Sequence, residues 1–229
     1  MSLIDIQYIT DGPYAGIKID PLKPASGRFL VLHGYGGCKE EMLALSVHMA
    51  AGGFPILCPD LPGHGESGTL LFDHGEVKTC ISYWQERMGY GFMGALGHSI
   101  GGRLALSLGC ALAVAISAPF SATFGEGKKE MVRILRPRRV KEYRPFSGLL
   151  DIMGTLGEDL PDIPGRKLLL VGENDIAAAK LAFEMVQSDS CEIKKISGAN
   201  HYDILTSGTA IDCITSWLSN HTANGTDTP

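Results

Sequence analysis

The amino-acid sequence predicts an α/β fold, in which a mostly parallel central sheet is covered by helices on both faces. Short, continuously apolar runs alternate along the chain with longer segments whose apolar residues recur at helical spacing. The apolar runs do not alternate with polar residues, which is typical of parallel strands that are buried on both faces. The predicted parallel strands cover residues 29–32, 55–58, 92–96, 111–117, 167–171 and 191–196.

The segments between these runs carry the signals of amphipathic helices. Met42, Leu45 and Met49 fall on one face of the helix predicted after the first parallel strand. Asp73 with Glu76 three residues later resembles a capping box, which is typical of a helix start. Strands that alternate with helices in this way indicate βαβ units and therefore a parallel sheet.

The order of the elements indicates a single domain over residues 1–220. A chain of 229 residues is long enough for one large hydrophobic core. The alternating segment 4–20 predicts a β-hairpin ahead of the first parallel strand. Residues 120–165 interrupt the alternation with glycines, prolines and a basic cluster, and the polar residues 221–229 predict a flexible tail.

Composition excludes several classes of function. The net charge of -5 disfavours a general nucleic-acid binder, because phosphate binding requires a basic surface. No apolar stretch is long enough to cross a bilayer and no signal peptide is recognisable, so we expect no membrane partner. The six cysteines form no Cys-x-x-Cys pair, which favours free thiols in a reducing compartment over disulfides or a metal site. We therefore expect a cytoplasmic protein.

A Gly-x-Ser-x-Gly turn at residues 97–101 lies between a predicted strand and a predicted helix. Such a sharp turn holds its central residue in a strained backbone conformation, and the glycines leave the room that it needs. The turn lifts the hydroxyl of Ser99 out of the sheet edge, while the next helix points its N-terminus at the same place. Ser99 is therefore a candidate nucleophile, although a glycine-rich turn can also contain a serine by chance.

Four distant segments are expected to meet at one crevice, because parallel strands end along the same edge of the sheet. Ser99, Asp175, His201 and the His33-Gly34-Tyr35 loop all follow the ends of predicted strands. A serine hydroxyl needs a base within hydrogen-bond reach, and the base needs a carboxylate that fixes its tautomer. This chemistry assigns Ser99 as nucleophile, His201 as base and Asp175 as the acid that holds His201.

The negative charge that develops on an attacked carbonyl also needs hydrogen-bond donors. The backbone N–H groups of Tyr35 and Ile100 are predicted to form this oxyanion hole. His33, Gly34 and His98 are candidates for lining the loop or the substrate pocket, since they flank the two donors and the nucleophile.

Other side chains compete for the roles of base and acid. In an elbow turn His98 should point away from Ser99, and His33 more simply shapes the oxyanion loop. The competing carboxylates can each be explained as solvated groups or helix caps. The alternative bases are His33, His64 and His98. The alternative acids are Glu173, Asp203, Asp151 and Asp60.

Taken together, these motifs resemble the α/β-hydrolase family, in the family's order from about Arg28 to Leu218. The resemblance implies a serine nucleophile on an elbow, an acid after the penultimate strand region and a histidine after the last strand. It also implies that residues 120–165 form a short lid insertion. The matching motifs are His33-Gly34, Asp60-Leu61-Pro62-Gly63-His64-Gly65-Glu66-Ser67, Gly97-His98-Ser99-Ile100-Gly101-Gly102, Gly172-Glu173-Asn174-Asp175 and Asn200-His201.

The lid segment concentrates eight of the chain's 20 basic residues. The simplest interpretation of this basic cluster is a solvated helix face. The more specific hypothesis is a surface that attracts an anionic acyl substrate or a coenzyme A moiety. The apolar residues Met131, Val132, Ile134 and Leu135 are alternative linings of an acyl pocket. The basic residues are Lys128, Lys129, Arg133, Arg136, Arg138, Arg139, Lys141 and Arg144.

The predicted function is serine-dependent hydrolysis of a carboxylic ester in a small-molecule acyl substrate, without a metal or a cofactor. Acyl thioesterase, acyltransferase and carbon–carbon bond hydrolase are the alternatives within serine chemistry, because one fold hosts many reactions. A non-catalytic ligand-binding protein on the same fold is the alternative from a different class. The sequence predicts neither the oligomeric state nor the natural substrate.

Overall fold

The central sheet is seen in a computed structural model that describes residues 4–24, 27–88, 92–120, 140–141, 147–157, 165–177, 179–180 and 191–222. The strands are β1 (Ile4–Asp11), β2 (Tyr14–Pro21), β3 (Arg28–Leu32), β4 (Ile56–Pro59), β5 (Phe92–His98), β6 (Leu112–Ile116), β7 (Arg166–Asn174) and β8 (Cys191–Asn200). Over these described residues they form one sheet in the order β1-β2-β4-β3-β5-β6-β7-β8.

The sheet is mostly parallel, as the sequence predicts. The strands from β3 to β8 pair in parallel, and the N-terminal hairpin of β1 and β2 adds an antiparallel edge by pairing β2 with β4. The pairing of β7 with β8 continues to the end of both strands, where Asn174 lies opposite Asn200. The loops that follow the parallel strands therefore all lie at one edge of the sheet.

The helices cover the two faces of this sheet. They are α1 (Leu43–Ala51), α2 (His74–Met88), α3 (Ile100–Ser107), α4 (Ser147–Leu156) and α5 (Gly208–Thr222), with 3₁₀ turns at Lys39–Met42 and Asp203–Leu205. Among the helices of the described segments, none has both the length and the apolar character that crossing a membrane requires.

The alternation of side chains along β3 explains why its sequence is continuously apolar. Phe29 and Val31 pack into the core that contains residues of α1 and α5. Leu30 and Leu32 point the other way, into the core that contains residues of α2, α3 and α4. Each of these four side chains is fully buried, and burial of this kind stabilises the fold by about 1.5–3 kcal/mol per side chain. The prediction of helices on both faces is confirmed.

The structure tests two predicted helix boundaries, the start of α2 and the end of α5. The backbone N–H of Glu76 donates to Asp73 Oδ1 at 2.9 Å, so Asp73 caps α2 as its spacing indicates. Helix α5 runs to Thr222, and His221 Nδ1 donates to the carbonyl of Trp217 at 2.8 Å. The predicted start of the tail at residue 221 is therefore wrong by two residues, and residues 223–229 lie outside the described part of the chain.

Little of the predicted lid, residues 120–165, falls within the described residues. Helix α4 belongs to it and buries Leu149, Ile152 and Met153 in the core beside α2 and α3. Of the eight basic residues, Lys141 is described, and its backbone N–H donates to the carbonyl of Gly63 at 2.8 Å. The other seven and the apolar group Met131, Val132, Ile134 and Leu135 lie outside the described residues.

All six cysteines are free thiols. Cys58, Cys80 and Cys110 are buried, and burial raises the pKa of each of these thiols. A thiol whose pKa is raised stays protonated and unreactive at neutral pH. These three cysteines therefore serve as small apolar core residues.

Candidate active site

Ser99 occupies the turn between β5 and α3 in a conformation that the surrounding glycines make possible. Its backbone has φ 53° and ψ -121°, in the region that non-glycine residues rarely adopt. A Cβ added at Gly97 would lie 2.1 Å from the carbonyl oxygen of Gly101. A Cβ added at Gly101 would lie 2.4 Å from the carbonyl oxygen of Leu32. The turn can therefore close only because both positions are glycine.

His201 lies between Ser99 and Asp175. Its Nε2 is 3.2 Å from Ser99 Oγ, and its Nδ1 is 2.8 Å from Asp175 Oδ1. Because an ionised carboxylate only accepts hydrogen bonds, Nδ1 carries the hydrogen and Nε2 offers its lone pair to the serine hydroxyl. The structure thus brings together the three residues that the sequence places at three different strand ends.

The carboxylate of Asp175 is fully enclosed and surrounded by donors. Oδ1 accepts from His201 and from the N–H of Ile176 at 2.8 Å, and Oδ2 accepts from the N–H of Gly172 at 3.1 Å. Burial raises the pKa of Asp175, but hydrogen bonds from His201 and Ser117 outweigh burial and hold the pKa below its ordinary value. Asp175 is therefore ionised at neutral pH and able to stabilise a protonated His201.

Ser117 is the residue at this site that the sequence analysis missed. Its hydroxyl donates to Asp175 Oδ2 at 2.5 Å, and its side chain is fully buried. A lone serine after an apolar run suggests only packing. The signal that could have found it is its position directly after β6, between the strands that lead to Ser99 and Asp175 in the sheet.

The loop predicted to supply an oxyanion donor lies directly against the elbow. A Cβ added at Gly34 would lie 3.2 Å from Ser99 Cβ, so a side chain at position 34 would crowd Ser99. The N–H of Gly37 donates to the carbonyl of Gly34 at 3.0 Å and closes a turn around Tyr35. On the other side, Ile100 is the first residue of α3, where N–H groups have no partner within the helix.

His33 and His98, the candidates for lining the loop or the substrate pocket, are both buried. Their exposed fractions are 0% and 3%. His33 Nε2 accepts from the N–H of Leu61 at 2.9 Å, so its Nδ1 carries the hydrogen that is donated to the carbonyl of Gly34 at 2.7 Å. His98 Nε2 donates to the carbonyl of His201 at 2.7 Å. These histidines fix the loops that carry the candidate donor and the candidate base.

The alternative acids and bases form hydrogen bonds with groups other than the side chains of Ser99 and His201. Glu173 is exposed and accepts from Ser197 Oγ and the N–H of Gly198. Asp203 bonds to Asn200 within the turn that carries His201, and Asp151 accepts from the N–H of His74. His64 is buried with its Nδ1 at the carbonyl of Pro62, 2.8 Å away.

Asp60 belongs to an ion cluster that joins two loops at the same end of the sheet, and within it the pair of Asp60 and Lys39 is buried. Lys39 Nζ donates to Asp60 Oδ2 at 2.8 Å, to Glu66 Oε2 at 2.8 Å and to Glu40 Oε1 at 2.9 Å. The side chains of Lys39 and Asp60 are 1% and 0% exposed. Burial alone would lower the pKa of Lys39, but the hydrogen bonds to Asp60 and Glu66 raise it above its ordinary value. Lys39 is therefore charged, and the cluster links the segment after the oxyanion loop to the Asp60–Glu66 loop.

Burial of the two structural histidines predicts a loss of stability in mild acid. Burial lowers the pKa of His33 to about 4 and that of His98 to about 3. Between these values and the ordinary histidine pKa of about 6.5, the unfolded chain binds protons that the folded chain does not. Lowering the pH from 7 to 5 is thus expected to reduce the free energy of unfolding by about 2 kcal/mol for each histidine.

Urea unfolding at pH 7 and pH 5 measures this loss. His98→Gln is the matched variant, because the glutamine amide can donate to the carbonyl of His201 and does not titrate. We expect the decrease between pH 7 and pH 5 to be about 2 kcal/mol smaller in His98→Gln than in the unmodified chain. An equal decrease in both proteins would contradict the assignment of His98 as a buried neutral histidine.

Among the described residues, no group of three or more histidine, cysteine, aspartate or glutamate side chains is arranged to hold a metal ion. The groups that meet at the sheet edge are instead a hydroxyl, an imidazole and a carboxylate, with backbone N–H groups beside them. Such a set activates a serine for attack on a carbonyl.

Comparison with solved structures finds the same fold in other proteins. A soluble variant of monoglyceride lipase from Saccharomyces cerevisiae superposes with a TM-score of 0.72 at 14% identity, over 97% of both chains. A monoacylglycerol lipase from Paleococcus ferrophilus superposes with a TM-score of 0.71 at 19% identity, over 95% of this chain and 99% of that one. At these identities the likeness establishes the fold.

Two sequence comparisons add to this. A curated 2-succinyl-6-hydroxy-2,4-cyclohexadiene-1-carboxylate synthase from Yersinia pseudotuberculosis serotype O:1b (strain IP 31758) is 33% identical over 92 residues, which cover 39% of this chain. The match spans only 33% of that relative's own length. The model of the alpha/beta hydrolase family matches residues 29–161, more than half of the chain, from β3 into the segment beyond α4. With the strand order and the elbow turn described above, this match shows that the chain belongs to the alpha/beta hydrolase family.

Proposed function

We propose that the protein is a serine hydrolase of carboxylic esters in small-molecule acyl substrates. The observation that carries the proposal is the unbroken series of hydrogen bonds from Ser99 through His201 to Asp175. In this proposal Ser99 is the nucleophile, His201 the general base and acid, and Asp175 the group that orients His201. The reaction uses side chains and backbone groups of the chain together with one water molecule.

Acylation begins when Ser99 Oγ attacks the carbonyl carbon of the ester and His201 Nε2 takes the hydroxyl proton. The tetrahedral intermediate carries its negative charge on the former carbonyl oxygen. The carbon–oxygen bond to the alcohol then breaks, and His201 gives its proton to the departing alkoxide oxygen. The products of this half-reaction are the free alcohol and an acyl ester of Ser99.

Deacylation repeats these steps with water. His201 takes a proton from the water molecule as its oxygen attacks the acyl carbon, and then returns a proton to Ser99 Oγ as the acyl–serine bond breaks. The products are a carboxylic acid and the regenerated serine. Throughout both halves Asp175 stays ionised and stabilises the positive charge that appears on His201.

The backbone N–H groups of Tyr35 and Ile100 are proposed to bind the oxyanion. The support is positional, because the Gly34 backbone lies against Ser99 and Ile100 opens helix α3 immediately after it. Donors that are held in place before the reaction need no reorganisation when charge develops, and losing one typically slows catalysis by about 10²–10³-fold.

The names of the similar proteins agree with this choice and keep one alternative open. The two lipases named above act on glycerides according to their names, which favours an oxygen ester. The relative matched in sequence is named as a synthase and not as an ester hydrolase, so a reaction other than ester hydrolysis, such as carbon–carbon bond cleavage, is kept as the alternative. Thioester hydrolysis and acyl transfer use the same acyl-serine intermediate.

Labelling with a fluorophosphonate probe tests the proposal, because this reagent phosphonylates a serine only when the hydroxyl is activated. We expect mass spectrometry to find the label on Ser99, and we expect Ser99→Ala to take up none. His201→Ala should label very slowly, and Ser107→Ala, which removes a hydroxyl within α3, should label like the unmodified chain.

Labelling of Ser99→Ala at the unmodified rate would contradict the proposal, as would labelling that is unaffected by His201→Ala. For the reaction type, kcat/KM on p-nitrophenyl butyrate is compared with that on butyryl-coenzyme A. We expect the higher value for the oxygen ester, and a higher value for the thioester would favour the thioesterase alternative.

A further inference from the structure

Ser117 shares an unusual backbone conformation with the nucleophile. Among the described residues, the non-glycine residues with positive φ are Ser99, at 53°, and Ser117, at 52°. A non-glycine residue with positive φ has a strained backbone. This conformation persists only where the surrounding contacts fix it. Both serines directly follow neighbouring parallel strands, Ser99 after β5 and Ser117 after β6.

The contacts that fix Ser117 lead to the acid. Its N–H donates to the carbonyl of Leu170 in β7 at 2.8 Å, and its hydroxyl donates to Asp175 Oδ2 at 2.5 Å. Asp175 Oδ2 has a second donor in the N–H of Gly172, whereas Asp175 Oδ1 faces His201. Each carboxylate oxygen therefore has one side-chain donor and one backbone donor: His201 and Ile176 N–H at Oδ1, Ser117 and Gly172 N–H at Oδ2.

The backbone on the other side of Ser117 leads to the nucleophile. The N–H of Ser99 donates to the carbonyl of Ile116 at 2.8 Å, and Ile116 immediately precedes Ser117. The hydrogen bonds then continue from Ser117 to Asp175, from Asp175 to His201 and from His201 back to Ser99. Two consecutive residues, Ile116 and Ser117, thus close a ring through the nucleophile, the base and the acid.

We propose that Ser117 is a positioning residue, whose hydroxyl sets the rotation of the Asp175 carboxylate so that Oδ1 meets His201 Nδ1. This inference rests on the proposed serine hydrolase function. Ser117 itself is fully buried and does not reach a substrate. Without its hydroxyl, Oδ2 keeps only the N–H of Gly172, so the carboxylate plane is held less firmly. The hydrogen bond to Oδ1 that keeps the hydrogen on His201 Nδ1 is then weakened.

The expected kinetic effect is a loss of turnover with little change in binding. Ser117→Ala should lower kcat on p-nitrophenyl butyrate by about 10- to 100-fold, the range that corresponds to one hydrogen bond to a buried charged group. KM should change by less than about threefold, because no atom that contacts substrate is removed.

Three variants separate the hydroxyl from the backbone strain. Ser117→Ala and Ser117→Gly both remove the hydroxyl, but glycine also relieves the strain of positive φ and should melt at a higher temperature than alanine. Ser107→Ala is the control, since the Ser107 hydroxyl donates to the carbonyl of Leu104 within its own helix at 2.7 Å. We expect equal kcat losses in the two Ser117 variants and none in the control.

Nitrogen-15 NMR of the His201 ring supplies a readout that does not depend on activity. In the unmodified chain we expect the Nδ1–H tautomer throughout, and in both Ser117 variants a mixture of tautomers. If the unmodified chain neither turns over esters nor takes up the fluorophosphonate, the proposed function fails while the tautomer measurement still decides the role of Ser117.

The inference is overturned if a folded Ser117 variant keeps both the single tautomer and a kcat within twofold of the unmodified value. It is also overturned if kcat recovers in Ser117→Gly in step with thermal stability. Either result would mean that Ser117 serves only the turn after β6.

Discussion

Replacing His201 with alanine is expected to lower kcat on p-nitrophenyl butyrate by roughly 10⁶-fold, the loss typical when the base of such a triad is removed. The reason is geometric. His201 is the group with a ring nitrogen at Ser99 Oγ, and the neighbouring His98 is turned away to donate to the backbone of His201. Burial also lowers the pKa of His98 to about 3, so His98 is a poor substitute base.

Steady-state kinetics at pH 7 measure this effect, with two companion variants. Asp175→Asn should lose about 10⁴-fold, because an amide cannot hold His201 in the tautomer that accepts the serine proton. His48→Ala, at an exposed position on α1, should retain the unmodified kcat. A His201→Ala variant that keeps a tenth or more of the unmodified kcat would rule out His201 as the base.

Replacing Lys39 with methionine is expected to lower the free energy of unfolding by about 3–5 kcal/mol, the usual cost of removing one partner of a buried ion pair. The change leaves the carboxylate of Asp60 without its positive partner in a place that water does not reach. Asp60 still accepts hydrogen bonds from the N–H groups of Lys39 and Glu66 in this variant. These two bonds compensate for only part of the negative charge of the carboxylate. Urea unfolding at pH 7 measures the change.

Two further variants test this explanation. In Lys39→Met combined with Asp60→Asn the buried charge is gone, and part of the lost stability should return. Lys18→Met breaks an ion pair with Asp20 in which both side chains are 28% exposed, and it should cost less than about 1 kcal/mol. Equal losses in Lys39→Met and Lys18→Met would show that burial of the pair of Lys39 and Asp60 has no energetic consequence.

The sheet could be predicted because its parallel strands are buried on both faces, and such burial leaves a continuous apolar run in the sequence. Phe29 and Leu30 fill opposite cores, so neither position could be polar. The placement of β2 beside β4 has no comparable signal. It depends on how Ile17 and Ile19 meet the core next to Ile56, which is a tertiary contact between distant segments.

The three candidate catalytic residues could be predicted for a related reason. Parallel strands end at one edge, so residues that directly follow those strands must come together whatever the details of packing. The same rule applied to β6 points to Ser117, but its hydroxyl gains a role only through Asp175, which lies 58 positions further along the chain. The inward orientation of His33 likewise depends on the N–H of Leu61, a partner that local sequence does not reveal.

The pairing of β7 with β8 up to Asn174 and Asn200 has a consequence for how the site is assembled. Asp175 and His201 are the residues immediately after this last pair, so strand pairing itself brings the acid and the base together. The elbow that carries Ser99 needs only β3, β5, β6 and α3, all of which precede β8 in the chain. The elbow is therefore complete without β8, whereas the contact of His201 with Ser99 exists only where β8 is paired with β7.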